Sequence, residues 1–306
     1  MVSGAGRLSG RVAIVTGAGR GLGRAHARYL ASQGAAVVVN DRGGDVHGRG
    51  DDQSPAEVVA AAIRAGGGRA VASGHDVADW DQAAELVQLA IEAFGELHVL
   101  VNNAGILRDR TLANMSEADW DDVLRVHLKG HAAPSRHAMA YWRGQAKAGQ
   151  PVAASVVHTT SIAAFSGNFG QANYTAAKSA VLGLSRVIAL EGAKIGVRSN
   201  AVSPSARTRI MVSRPDNEPD DVADWDPGDP LNPANVSPLI GWLAEEKCPA
   251  NAQVFHTYGN RVIVVSMPSI VHDLRTEGRW TPEALDEALP SRLLELTELS
   301  AFLDAG

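Results

Sequence analysis

The chain has 306 residues, one cysteine and a formal net charge of −6 at pH 7. A chain this long buries about three quarters of the surface it exposes when unfolded, so it needs no metal or disulfide to hold it together. The lone Cys248 excludes an intramolecular disulfide framework and a multi-cysteine zinc site, and the acidic balance argues against a dedicated nucleic-acid binder. No apolar run reaches the ~18 residues that span a bilayer. The first residues lack a secretory hydrophobic stretch, and the last are no peroxisomal tripeptide. The expectation is a cytoplasmic globular protein with a small-molecule partner, no nucleic acid and no membrane.

Short apolar runs then alternate with helical spacing. Strands are predicted at Val12–Val15, Ala36–Val39, Arg69–Ala72, Val99–Val101, Ser155–Val157 and Val197–Val202, with Arg261–Val265 a candidate last one. Helical spacing covers Gly21–Ser32, Pro55–Ala65, Asp81–Phe94, Ser116–Arg143 and Tyr174–Glu191. Near-continuous apolar strands separated by helices indicate a parallel sheet covered on both faces, the doubly wound α/β fold. Arg214–Pro233 breaks the alternation with five prolines and seven acidic residues. A long loop of this kind inside a compact domain is more often a lid or binding loop than a bland connection. Ser237–Glu246 reads as a helix. Thr281-Pro282-Glu283 starts another, whose Leu285, Leu289, Leu293 and Leu294 need something to pack on. The expected organisation is a Rossmann-like domain over residues 1–265 and a C-terminal helical extension over 266–306.

The first strand runs into Thr16-Gly17-Ala18-Gly19-Arg20-Gly21-Leu22-Gly23. Glycines between a strand and a helix let backbone N–H groups reach a pyrophosphate, which then sits on the positive helix end. The spacing is T-G-x-x-x-G-x-G, not G-x-G-x-x-G. Gly17, Arg20, Gly21, Leu22 and Gly23 are the candidate cofactor contacts. Asp41 follows Gly23 by 18 residues, close to the ~20 expected for an acid on the adenosine ribose. A carboxylate there favours NAD and repels the 2′-phosphate of NADP. Arg20 and Arg42 pull the other way. Tyr174 and Lys178 are four apart and share a helix face. An ammonium one turn away, with the positive nicotinamide of bound NAD⁺, favours phenolate and makes the phenol a usable acid–base. Ser161 ends the fifth strand, where open α/β folds bind ligands, and its hydroxyl can hold a substrate oxygen.

Together, Thr16–Gly23, Asp76-Val77, Asn102-Asn103-Ala104-Gly105, Ser161, Tyr174/Lys178 and the Pro204 turn leading to Thr208 resemble the short-chain dehydrogenase/reductase family over about residues 7–265. The resemblance implies a single Rossmann-like domain in a homo-oligomer, dimer or tetramer. Asp76 would touch the adenine, Asn102, Ala104 and Gly105 would line the cofactor, Lys178 would hold the nicotinamide ribose, Thr208 would reach the carboxamide, and Val77, Tyr174 and Pro204 would be further cofactor contacts. Within the family, Val38–Asp41 with Gly43-Gly44-Asp45, Gly105–Arg110 and Gly167–Tyr174 are similar to the dehydrogenase part of the type 2 peroxisomal multifunctional enzymes, which oxidise (3R)-hydroxyacyl-CoA with NAD⁺. There are departures. His127 stands where the family often has a relay asparagine, and is taken as a fourth catalytic residue; Pro204-Ser205 replaces Pro-Gly. His127 and His131 share helical spacing but lack a third ligand, so no metal is expected. The alternatives are a dehydrogenase of an alicyclic, terpenoid or steroid alcohol, and an NAD-binding regulator. The insertion Gly43–Ser54 resembles relatives that hold NAD tightly.

Overall fold

Strands β1 (Val12–Thr16) and β2 (Ala36–Asn40) are buried along their whole length. Runs of valine and alanine in a strand have no polar face to turn to water, so both faces of the sheet must be covered. The structure is a computed structural model that describes residues 6–293 except 46, 51, 53, 208–225, 227, 267, 269–270 and 277–278. Its sheet has eight strands in the order β3-β2-β1-β4-β5-β6-β7-β8. β3 is Arg69–Ser73, β4 Val99–Asn102, β5 Ala154–Thr159, β6 Val197–Ser205, β7 Val254–Tyr258 and β8 Arg261–Val265. All neighbours are parallel except β7 and β8, which pair antiparallel.

Alternate strand residues feed two apolar layers. Val15, Val37, Val101 and Val157 meet Leu239, Ile240 and Leu243 of the helix Ser237–Ala244 on one face. Ile14, Val38, Leu100 and Val156 meet Leu86, Trp142 and Ile188 on the other. The helices are α1 (Gly21–Ser32), α2 (Ser54–Ala65), α3 (Trp80–Phe94), α4 (Glu117–Leu124), α5 (Gly130–Lys147), α6 (Ala163–Ser166) and α7 (Ala172–Gly192). Each fully buried Leu or Ile contributes about 1.5–3 kcal/mol, so these layers carry most of the fold. Among the described residues no helix is long and apolar enough to cross a membrane.

Two features depart from the sequence reading. β7 mixes His256 and Thr257 with its apolar residues, so no apolar run marks it; His256 is buried against Ser203 Oγ at 3.0 Å. The single helix expected over Ser116–Arg143 is two helices joined by a π turn, Arg125–Lys129. Pro134, four residues past Gly130, has no N–H to give that residue's carbonyl, which loosens the start of α5. The tail helix Pro282–Ala288 starts at the expected cap, with Ala284 N–H donating to Thr281 Oγ1 at 3.3 Å, and buries none of its residues. Leu289 and Leu293 are exposed, and Leu294 lies outside the described residues.

Candidate active site

Chain order reverses between β1 and β4, and doubly wound sheets bind ligands at the strand ends there. Thr16 Oγ1 ties the two strands together: it donates to Val101 O (3.3 Å) and accepts from the N–H groups of Asn103 (2.9 Å) and Ala104 (3.1 Å). Asn103 Nδ2 donates to the carbonyls of Thr16 (3.0 Å) and Gly17 (3.2 Å), clamping the glycine turn. Gly17 has φ +61°, and a Cβ there would stand 2.8 Å from Ala104 Cα. A Cβ on Gly23 would reach 2.1 Å from Gly17 O. Helix α1 starts without a side-chain cap and without an acidic residue in its first turn. Its N-terminal N–H groups and positive dipole end therefore suit an anion, and the glycine cradle suits a dinucleotide pyrophosphate.

The cleft that opens from this turn measures 1110 Å³ counting its mouth. Of the candidate cofactor contacts, Gly17, Arg20, Gly21, Leu22, Asp41, Asp76, Val77, Ala104 and Gly105 line it, whereas Gly23, Tyr174 and Lys178 do not. Asp41 is fixed in place: Oδ2 accepts from Gly19 N–H at 2.8 Å and Oδ1 from Gly43 N–H at 2.7 Å. Asp76 Oδ2 is shared by Arg125 (3.0 Å) and Arg42 (3.2 Å). Burial penalises its charge, but the Ala78 N–H and the two guanidinium groups hold its pKa below the usual range. Arg42 is therefore engaged by a carboxylate already. From the insertion, Gly44, Asp45, His47 and Gly48 line the cleft, and His47 Nδ1 bonds Leu107 O at 3.1 Å.

Tyr174 and Lys178 descend from the first two turns of α7 beside this cleft. Ser161 lies just past the end of β5, near enough to the Tyr174 phenol for its hydroxyl to favour the phenolate. Lys178 Nζ donates to Thr159 O at 2.6 Å and lies 5.7 Å from the centre of the tyrosine ring. Burial raises the Tyr174 pKa, Ser161 opposes that, and Asp109 adds to it. Burial lowers Lys178 to about 7. In the protein by itself, desolvation of both groups works against phenolate and ammonium, so the sequence reading, which pairs Lys178 with the charge of a bound nicotinamide, needs both partners. His127 meets Tyr174 edge-on, ring centres 5.1 Å apart, and its Nε2 contacts the backbone N (3.1 Å) and O (2.8 Å) of Ile106. The π turn aims it there, and a Cβ on Gly105 would stand 2.4 Å from its Cε1. Such turns are frequent at functional sites.

Not every expected contact faces the cleft. Asn102 is fully buried behind the wall and donates to Ser135 Oγ at 2.9 Å, while Asn103 lines the cleft. Successive side chains at a strand end point to opposite sides, so only one of the pair can do so. Pro204 lies within β6, paired with Thr257, and is not part of the cleft wall. Thr208 and Arg214–Trp225 of the acidic segment lie outside the described residues. Sequence reasoning missed Arg125 and His47. The only signals were the length of the insertion and an unremarkable helix.

A family model described as short chain dehydrogenase matches residues 11–218. The chain is similar to the mouse peroxisomal multifunctional enzyme type 2, with 42% identity over 249 residues, covering 81% of this chain and 32% of that protein. It thus spans about a third of that relative's length. It is 41% identical over 290 residues to a hydroxyacyl-CoA dehydrogenase of Mycobacterium tuberculosis, covering 92% of this chain and 88% of the relative. A crystal structure of a short chain dehydrogenase from Mycobacterium avium superposes with a TM-score of 0.84 at 43% identity, covering 96% of this chain and 99% of the other.

Proposed function

The chain belongs to the short-chain dehydrogenase family, and on that premise we propose that it oxidises the hydroxyl of a (3R)-3-hydroxyacyl-CoA with NAD⁺. The observation that carries the chemistry is the Ser161–Tyr174–Lys178 cluster beside the cleft that opens from the glycine turn. The hydroxyacyl-CoA relative, matched over nearly its whole length, supports the substrate class.

Ser161 holds the substrate oxygen next to the phenol. Tyr174, as phenolate, takes the hydroxyl proton while the carbon gives up its hydride and becomes a ketone. The nicotinamide, when bound, supplies the hydride acceptor and a positive charge that lowers the Tyr174 pKa. Lys178 adds its own charge to the same end. His127, packed on the ring edge, keeps the phenol aimed. Asp41 supports NAD⁺ over NADP⁺, because its pinned carboxylate cannot swing away from a 2′-phosphate.

Residues 1–265 carry this chemistry and residues 266–306 form an appendage. The active form is a homo-oligomer, for which exposed Val187 and Leu190 on α7 supply an apolar face; light scattering would reveal a monomer if this is wrong. The test of the reaction is NADH formation from (3R)-3-hydroxyacyl-CoA, a steroid alcohol and a cyclic alcohol, each with NAD⁺ and NADP⁺. Turnover of the acyl-CoA with NAD⁺ is expected. Turnover of the steroid or cyclic alcohol without the acyl-CoA would replace the substrate class.

A further inference from the structure

A buried polar nest that the reaction above does not use lies within electrostatic reach of Lys178. His131, near the start of α5, and His158, in β5, are fully buried and stack with ring centres 5.4 Å apart. Their Nδ1 atoms are 3.3 Å apart. Asn102 Nδ2 donates to Ser135 Oγ at 2.9 Å and points at His158 Nδ1 at 3.4 Å. Ser135 Oγ donates onward to His131 O at 2.7 Å.

These contacts assign the tautomers. An amide N–H directed at His158 Nδ1 makes that nitrogen an acceptor, so His158 carries its proton on Nε2. His131 then donates from Nδ1 and keeps a bare lone pair on Nε2. Yet His158 Nε2, His131 Nε2 and Asn102 Oδ1 are all buried without a protein partner, as is His127 Nδ1. One unmet donor and two unmet acceptors therefore belong to a single hydrogen-bonded cluster. Native proteins satisfy such groups with internal water.

Lys178 has the complementary need. It carries three N–H donors, and Thr159 O takes one. Its charge bears on His127, His131 and His158, whose basicity it lowers further after burial has done most of the work. The titratable groups around it are Tyr174 on its own helix, His158 from β5, His131 from α5 and His127 from the π turn, with Asp109 acting on Tyr174 from the facing loop.

We propose that His131 and His158, with Asn102, hold internal water against Lys178 and act as positioning residues that keep its ammonium charged beside Tyr174. A carboxylate in that place would also hold the charge, but would cancel its field at the phenol. Neutral imidazoles and water solvate the ammonium and leave its field intact. The role rests on the oxidoreductase reading above; the water site itself does not.

Two experiments separate these. A high-resolution crystal structure of the wild-type protein should show ordered water bonded to His131 Nε2 or His158 Nε2. A dry nest overturns the proposal whatever the substrate proves to be. The second compares His158→Gln, which keeps an N–H donor near the position of Nε2, with His158→Asn, which keeps only the Nδ1 side. With the best substrate from the alcohol screen, His158→Asn should lose about tenfold in kcat at neutral pH, and its activity should fall off about one pH unit earlier as Lys178 loses its proton more easily. His158→Gln should stay within about threefold of wild type with an unshifted profile. KM for the dinucleotide should hold within about twofold in both. Equal losses in the two variants, or profiles that superimpose after scaling, overturn the positioning role. If either variant fails to fold, His131→Gln, which leaves an amide near the Nε2 lone pair, is read against His131→Leu by the same criteria.

Discussion

Replacing Asp41 by Asn tests how the protein chooses between its two dinucleotides. The carboxylate is 9% exposed and its oxygens are pinned by the N–H groups of Gly19 and Gly43, at 2.8 and 2.7 Å. A phosphate charge about 4 Å from it is repelled by about 4 kcal/mol at an effective dielectric near 20, roughly a thousandfold in binding. The cleft is open and salt screens its mouth, so a gain of about 100-fold in NADP⁺ affinity is the expected outcome in Asp41→Asn. NAD⁺ should weaken about tenfold, because its ribose loses a charged acceptor worth about 1.5–3 kcal/mol, of which the amide oxygen restores part. The amide nitrogen will also face one of the two glycine N–H groups, which leaves that donor unmet and costs about 1–3 kcal/mol of stability. Protein-fluorescence titration with each dinucleotide reads the affinities, and a thermal melt reads the stability. An NAD⁺/NADP⁺ ratio unchanged in a folded variant refutes the reasoning and moves the selection to Arg20 and Arg42.

Tyr174→Phe should bind NAD⁺ within a few-fold of wild type and lose about 10²–10⁴ in turnover, since it deletes the proton acceptor and little else; wild-type rates in a coupled NADH assay would remove Tyr174 from the mechanism. Gly105→Ala places a methyl 2.4 Å from His127 Cε1, so it should cost about 1–3 kcal/mol and displace the ring from Tyr174. Adding His127→Ala should relieve the clash, so that the double variant melts higher than the two single losses added together predict, while activity stays low; a Gly105→Ala protein as stable and active as wild type would show that the contact is soft. Lys178→Met should be inactive yet more stable than wild type near neutral pH. Burial lowers Lys178 from 10.5 to about 7, so between those values the unfolded chain holds a proton that the folded one does not, and wild-type stability from this group rises with pH across that window. Melts from pH 7 to 10 should therefore show the advantage of Lys178→Met shrinking; a constant or growing gap contradicts a buried ammonium whose charge is penalised by desolvation.

The local character of the chain was legible in its residues. Valine runs marked β1 and β2 because a strand buried on both faces has no polar register, and T-G-x-x-x-G-x-G marked the turn because only glycine tolerates φ +61° at Gly17 and the 2.1 Å approach at Gly23. Tyr174 and Lys178 could be paired from their spacing, since helix geometry is periodic whatever surrounds it. The sequence was silent wherever the answer depended on groups far apart in the chain. β7 hid because its His256 finds a partner in Ser203, 53 positions away, and so needs no apolar neighbour. Asn102 and Asn103 were indistinguishable until the sheet put one behind the wall and the other in the cleft. The π turn, which aims His127 at Tyr174 and Arg125 at Asp76, packs against α7, a contact that no helical periodicity records. Burial likewise set the direction in which Tyr174 and Lys178 are shifted, because the desolvation that moves both is a property of everything packed around them and of no residue by itself.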